Sequence, residues 1–411
     1  MAFNSLLKRA DPGAASYNRP MHLRHSHRLP ASFAPNPLTL ALSKVRAEGK
    51  EILDLTLSNP TDCGLDYPSE PLRGALGAPE VLGYRPDNRG SAKAREAVAA
   101  WHGHSVAPED VLLTASTSEA YTWLFKLLCD PGDEVLVPSP SYPLFEWLAR
   151  LEGIAANATP SYWHERWHLD LVALEEACTP RTRALILVNP NNPTGHFLSR
   201  SEWEQVLEFC AQWKLALIVD EVFADYGLEA PEEHLPTALE TLEPPCPLFV
   251  LSGLSKVAGL PQVKLGWIVA RGAHAKALLE PLGFIADQFL SVSASAQSAA
   301  LAALEAAPAI QAQIRRRLKS NLEELDRQLL SYPAISRLPV EGGWSVLLRR
   351  PALDSAESCA LRLLEEAQVL VHPGHFFDLP GENYLVLSLL PPLGVFARGM
   401  AQALPILSLR S

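Results

Sequence analysis

Residues 184–195 read ALILVNPNNPTG. Five apolar residues run without a polar interruption and stop on a turn stiffened by two prolines and a glycine. A continuous apolar run of this length predicts a strand buried on both faces, which is how a strand looks inside a largely parallel sheet covered by helices. Residues 215–219, LALIV, repeat the pattern and end on Asp220-Glu221; residues 248–251, LFVL, repeat it and lead into Ser252-Gly253-Leu254-Ser255-Lys256. Working outward, Val111–Ala115, Glu134–Val137 and Trp267–Ala270 read as further strands, with helices over Ser118–Leu128 and Leu144–Leu151 between them. Alternation of apolar runs with amphipathic stretches is the signature of an α/β sheet.

Beyond Ala294 the chain turns strongly helical as far as Leu330, with a break expected at Pro308. A mixed region follows, with strands expected at Val346–Leu348 and Tyr384–Leu390. We therefore expect a large domain over residues 71–304 and a smaller one built from residues 31–70 with 305–411. Residues 1–30 carry Lys8, Arg9, Arg19, Arg24 and Arg28 against Asp11 alone, and are expected to form a flexible basic extension.

The chain has 411 residues, 48% of them hydrophobic and 20% charged, the balance of an ordinary globular protein. A formal net charge of −11 argues against nucleic acid as a partner, because phosphate backbones need a basic face. None of the six cysteines stands in a CxxC pair, so buried reduced thiols in the cytoplasm are expected rather than a disulfide or zinc framework. No apolar stretch approaches the ~20 residues of a membrane span. The opening MAFNSLLKRADPG is too polar to read as a signal peptide.

Five polar clusters fall at strand ends, where α/β sheets bind ligands. Thr114-Ala115-Ser116-Thr117-Ser118 could cradle a phosphate with hydroxyls and free N–H groups at a helix start, or could simply cap that helix. Tyr142, in Pro140-Ser141-Tyr142-Pro143, could stack on a planar ring or pack in a turn. Asn189, Asn191 and Asn192 project amides from a rigid turn. Asp220 ends an apolar strand and needs a partner such as a protonated pyridine nitrogen, or else a salt bridge. Lys256 follows a buried strand, where its pKa can fall far enough to make the amine a nucleophile; a snorkelling surface lysine is the ordinary alternative.

In this order the clusters make the chain resemble the class I/II aminotransferases, the fold-type-I enzymes that depend on pyridoxal 5′-phosphate (PLP). The likeness runs from about Pro35 and includes LDLTLSNPTDCGLDYP at residues 53–68, YRPDNRG at 84–90 and VLVHPGHFFDLPGENYLVLSLL at 369–390. It implies an α/β fold with a large domain, whose mostly parallel central sheet is flanked by helices, and a smaller α+β domain. It implies that Lys256 holds PLP as a Schiff base and moves the substrate proton, and that Asp220 pairs with the pyridinium nitrogen. Asn192 would donate to the cofactor's phenolic oxygen and Tyr142 would stack on its ring. Ser116, Thr117, Ser118, Ser255 and Lys264 would bind the phosphate, joined by Tyr84 from a neighbouring subunit of a homodimer. Ser58 and Asn59 would touch substrate, and no metal is implied.

Three positions depart from the family's usual pattern. Lys264 stands where an arginine is common, keeping the charge without the bidentate fork. Phe223 replaces a tyrosine that would donate to the phenolic oxygen. Val386, in Tyr384-Leu385-Val386-Leu387-Ser388, occupies the place of the arginine that clamps the substrate carboxylate. The expectation is an aminotransferase that takes an amino group from a small-molecule donor and gives it to a keto acceptor, with an atypical substrate: an amine, a modified amino acid or a biosynthetic intermediate. Arg85, Arg89 and His375 are candidate replacements for the missing cation. A PLP-dependent lyase, decarboxylase or racemase would use the same cofactor residues. A non-catalytic PLP-binding module is a third reading, against which the joint presence of Lys256, Asp220 and Asn192 speaks.

Overall fold

The computed structural model describes residues 25–103 and 106–408. Most of the expected basic extension, including Lys8, Arg9, Arg19 and Arg24, lies outside the described residues. Within them, Arg28 donates to the Leu151 carbonyl at 2.8 Å and Arg150 donates to the His27 carbonyl at 3.0 Å, so residues 27–29 lie along the end of the helix Phe145–Glu152.

Strands in chain order are β1 (Leu53–Asp54), β2 (Val111–Thr114), β3 (Glu134–Ser139), β4 (Ala155–His164), β5 (Arg166–Leu169), β6 (Thr182–Val188) and β7 (Ala216–Asp220), then β8 (Leu248–Gly253), β9 (Gly266–Arg271), β10 (Ser336–Arg337), β11 (Ser345–Arg349), β12 (Val369–Leu370), β13 (His372–Pro373) and β14 (Tyr384–Ser388). The main sheet has the order β2-β9-β8-β7-β6-β3-β4-β5. The neighbours from β8 across to β4 are parallel; β9 runs antiparallel to both β8 and β2. Because β9 reverses the sense twice, β2 points the same way as β8. The C-terminal ends of β2, β3, β6, β7 and β8 therefore share one edge, which brings the five polar clusters together.

The uninterrupted apolar runs have a direct cause. Leu185, Leu187, Leu217, Val219 and Val250 face one core, while Ala184, Ile186, Ile218, Phe249 and Leu251 face the other. Helices cover both faces, so neither set of alternating positions can be polar. Each of these valine, leucine, isoleucine and phenylalanine side chains contributes about 1.5–3 kcal/mol by leaving water.

The second sheet has the order β10-β11-β14-β13 and is antiparallel. Val346, Leu348, Leu385 and Leu387 face a third core shared with the helices Ala356–Ala367 and Leu393–Ser408. The helix Ala300–Leu329 joins the two halves. Ala300, Ala303, Leu304 and Ala307 pack under the main sheet, while Ile310, Ile314, Leu318 and Leu325 pack in the third core.

Two features differ from the sequence reading. The helical stretch does not break at Pro308; that residue sits on the exposed side of a continuous helix, and the interruption falls earlier, at Ala299. Proline forfeits one N–H and crowds one carbonyl, but Ala307 and Ile310 on the opposite face are fully buried and hold the helix together across it. The hairpin of β4 and β5 extends the sheet as an edge ribbon whose alternation is too polar to stand out in the sequence.

Candidate active site

Lys256 lies in the short helix Leu254–Val257, directly after β8. Its amine is packed against aromatic faces, 4.9 Å from the Trp344 ring and 5.7 Å from that of Phe223. Burial pushes its pKa down to about 8, and the Asp220 carboxylate opposes the shift. Three side chains fix the backbone that carries it. Tyr226 donates to the Lys256 carbonyl at 2.6 Å, Gln311 to the Val257 carbonyl at 2.9 Å and Tyr67 to the Gly259 carbonyl at 2.8 Å.

Asp220, the last residue of β7, is buried. Burial pushes its pKa up to about 6, against the pull of the Val222 N–H, the Tyr121 hydroxyl and the Lys256 charge. Val222 donates to Oδ1 at 3.1 Å and Tyr121 to Oδ2 at 3.0 Å. Its neighbour Glu221 points away, accepting from Thr237 and Ala238 at 2.6 Å each.

The turn after β2 supports both of its readings. Ser116 caps the helix Thr117–Leu128, its hydroxyl accepting from the Glu119 N–H at 3.2 Å. The hydroxyls of Thr117, Ser118 and Ser255 and the ammonium of Lys264 have no hydrogen-bond or ion-pair partner among the described residues and stay available for an anion. Gly266 packs so closely beneath this turn that a Cβ would sit 3.0 Å from the Ser116 carbonyl carbon and 3.2 Å from the Thr117 nitrogen. Lys264 itself adopts a left-handed φ of 60° and is exposed.

Asn192 is half-buried, and its Oδ1 accepts from Ser345 at 3.3 Å. The other two asparagines of the turn are structural. Asn189 bonds the Leu235 carbonyl and the Leu198 N–H, and the Asn191 side chain accepts from the Thr194 hydroxyl. Tyr142 is half exposed, with its ring 6.5 Å from that of Phe377, and the Ser141 N–H donates to the Phe377 carbonyl at 3.0 Å. Tyr84 is 83% exposed. Ser58 is exposed, and Asn59 spends its side chain on a local turn, accepting from Thr61 and donating to Asp62.

Val386 is buried in β14, paired with Leu347 of β11 and His372 of β13. Leu347 shares its face of the sheet with Ser345, two residues away, which places Val386 on the face turned toward Asn192. Its neighbours there are Trp167, Leu338, Leu347 and Phe377. Of the candidate replacement cations, Arg85 and His375 are exposed and Arg89 donates to the Glu109 carbonyl at 3.3 Å.

Several contributors have no motif to announce them. Tyr121 lies one helical turn into the stretch read only as a helix. Trp344 and Ser345 lie just before Val346–Leu348, the stretch read only as an apolar strand. A buried network of Arg166, Glu341, His196 and Glu202 locks the asparagine turn to the second sheet. Glu341 accepts from Arg166 Nη2 at 3.0 Å and from the Phe197 N–H at 2.8 Å, and His196 sits 3.5 Å from Glu202 and 3.7 Å from Glu341. Its members are scattered over 176 residues' worth of chain positions, from 166 to 341, and no local pattern links them.

Residues 70–388 match the family model for aminotransferases of class I and II. The alanine aminotransferase of Mycobacterium tuberculosis is 30% identical over 388 residues, covering 90% of this chain and 87% of that protein. The glutamate-pyruvate aminotransferase AlaA of Escherichia coli is 28% identical, covering 86% of this chain and 90% of its own length. Among solved structures, an alanine aminotransferase from Pyrococcus furiosus superposes with a TM-score of 0.84 at 26% identity, covering 93% of this chain and 99% of that one. The fold is that of the fold-type-I enzymes, and the chain belongs to the class I and II aminotransferases, enzymes that depend on PLP.

Proposed function

We propose that this aminotransferase works through Lys256 and that its substrate is atypical at the position where relatives would bind a carboxylate. The cofactor fits the residues present. Asp220 is a buried carboxylate held by two donors with its pKa raised, the setting in which a cationic ring nitrogen would be a favourable partner. Lys256 offers an amine partly neutral near pH 8, suited to bond with an aldehyde. Thr117, Ser118, Ser255 and Lys264 would hold the phosphate together with the helix N-terminus, Ser116 acting through its backbone and the cap. Asn192 would donate to the phenolic oxygen and Tyr142 would cover the ring. When bound, PLP supplies an electron sink for the substrate's reacting carbon.

Around that carbon, the chain's own residues do the rest. Lys256 takes the Cα proton as a base and returns it as an acid, and its backbone anchors keep the amine on one side of the site. Phe223 and Trp344 exclude water from the amine, which keeps its pKa near working pH. Tyr84 would complete the phosphate site of a second copy, so a homodimer with shared sites belongs to this reading. So do a cytoplasmic location and the division into a large domain over 71–304 and a small domain from 31–70 with 305–411. Among the described residues, no helix is long and apolar enough to cross a membrane.

The observation that carries the substrate claim is the apolar setting of Val386 among Trp167, Leu347 and Phe377. A valine there offers no charge to a carboxylate, and the surrounding cluster would penalise burying one unpaired. An amine, or an amino compound with its acidic group placed elsewhere, fits this wall better. The names of the similar proteins favour a second reading, in which alanine or glutamate is the donor and another group clamps the acid. A panel of amines and amino acids, scored by loss of the visible absorbance of the PLP-loaded enzyme, separates the two. Alanine or glutamate reacting at low concentration, with amines inert, would favour the second. Conversion of the cofactor to its amine form in equal amount to the donor consumed would distinguish transamination from lyase, decarboxylase or racemase chemistry.

A further inference from the structure

An asparagine amide has two ends of nearly equal size, one accepting and one donating. Which end faces the cofactor decides whether Asn192 stabilises a phenolic oxygen or repels it. Ser345 makes that choice visible: its hydroxyl donates to Asn192 Oδ1 at 3.3 Å, which leaves Nδ2 as the end directed elsewhere. The choice matters more than usual in this chain. Phe223 carries no donor, so of the two positions assigned to the phenolic oxygen only Asn192 can supply a hydrogen bond.

The register of Ser345 against Asn192 is fixed by the segment that precedes it. The Gly342 N–H donates to the Gly195 carbonyl at 2.9 Å and the Gly343 N–H to the Tyr226 carbonyl at 2.9 Å. A Cβ on Gly342 would lie 2.4 Å from the Phe197 ring, so the two turns approach as closely as backbone allows. Ser388, opposite Ser345 on the ladder, does not compete, because its hydroxyl donates to the Leu57 carbonyl at 2.6 Å.

We propose that Ser345 is a positioning residue: its hydroxyl orients the Asn192 amide so that Nδ2 donates to the phenolic oxygen of PLP. This rests on the assignment of Asn192 above. The test is a visible-absorbance titration of the PLP-loaded enzyme in wild type, Ser345→Ala, Ser345→Thr, Asn192→Ala and the Ser345→Ala/Asn192→Ala double variant. A donor on the phenolic oxygen offsets the repulsion felt once the neighbouring nitrogen loses its proton, so losing the donor raises the chromophore's pKa. Ser345→Ala should raise it by about one pH unit. Ser345→Thr should restore it, and the double variant should match Asn192→Ala rather than add to it. If Asn192→Ala shifts the titration and Ser345→Ala does not, or if the two shifts add, the positioning role is wrong while the Asn192 assignment stands. If Asn192→Ala shifts nothing, both are wrong. Should Ser345→Ala fail to fold, Ser345→Cys, a weaker donor of similar size, is read in the same way.

Discussion

The hydroxyl of Tyr121 donates to Oδ2 of Asp220 at 3.0 Å, joining the helix Thr117–Leu128 to the end of β7. Tyr121 is fully buried, and burial and the adjacent carboxylate hold its own pKa well above the ordinary phenol value, so it is a donor at any working pH. It favours the charged form of Asp220 against the burial that opposes it. Tyr121→Phe should therefore raise the Asp220 pKa further and weaken PLP retention by about tenfold. Equilibrium dialysis of PLP against wild type and variant checks this; unchanged retention would remove Tyr121 from the site.

Loading of the cofactor onto Lys256 should follow the neutral amine. Burial lowers the pKa from the ordinary 10.5 to about 8. The sign is that of a buried cation: the neutral, nucleophilic form appears as pH rises through about 8 and is complete above it. The rate at which the apoenzyme binds PLP should climb from pH 7, reach half its plateau near pH 8 and level off above about pH 9. A rate still climbing steeply toward pH 10 would mean that the amine is solvated in the free enzyme.

Phe223→Tyr adds a hydroxyl donor beside the Lys256 amine, which lies 5.7 Å from the Phe223 ring. Phe223 is buried, with its ring 5.3 Å from that of Trp344, and the wall around it must admit one hydroxyl. The variant's chromophore should titrate about one pH unit lower than wild type, the opposite direction to the loss of a donor. Identical titrations would show that residue 223 does not reach the phenolic oxygen.

The Arg166–Glu341 pair is a stability element as well as a scaffold. Glu341 is buried beside His196, and Glu202 on the other side of that ring is held down to about 2, chiefly by His196 against the cost of burial. Glu341→Gln keeps the shape but removes the carboxylate 2.9 Å from the Arg166 guanidinium, leaving Glu233 at 3.9 Å as its remaining partner. The cost of breaking a buried pair is about 3–5 kcal/mol. Denaturant unfolding should show a loss of that order at pH 7, and a change below about 1 kcal/mol would mean that solvent reaches the network.

Much of this architecture is legible in the sequence because its signals are local. ALILV, LALIV and LFVL announce doubly covered strands, and the polar stretch after each run holds a candidate site residue, Asn192, Asp220 and Lys256 in turn. The edge hairpin of β4 and β5 escapes because one of its faces meets water, so its alternation mixes Thr159, Ser161 and His164 with aromatic residues. Pro308 misleads because a helix buried along one side tolerates a proline on the other. Tyr121, Ser345, Trp344 and Glu341 are invisible for a different reason. Each acts through a partner distant in the chain: Asp220 for Tyr121, Asn192 for Ser345, Lys256 for Trp344 and Arg166 for Glu341. Only the fold brings those partners together.

The central claim is that the cofactor half of this site is that of its family while the acid-binding half is not, because Val386 stands in an apolar wall. The most direct measurement is kcat/KM for alanine and for a matched amine without a carboxylate, in wild type and in Val386→Arg. The account predicts that wild type prefers the amine and that Val386→Arg gains at least about tenfold on alanine while losing on the amine. Efficient use of alanine by wild type, with no gain or a loss in Val386→Arg, would contradict it.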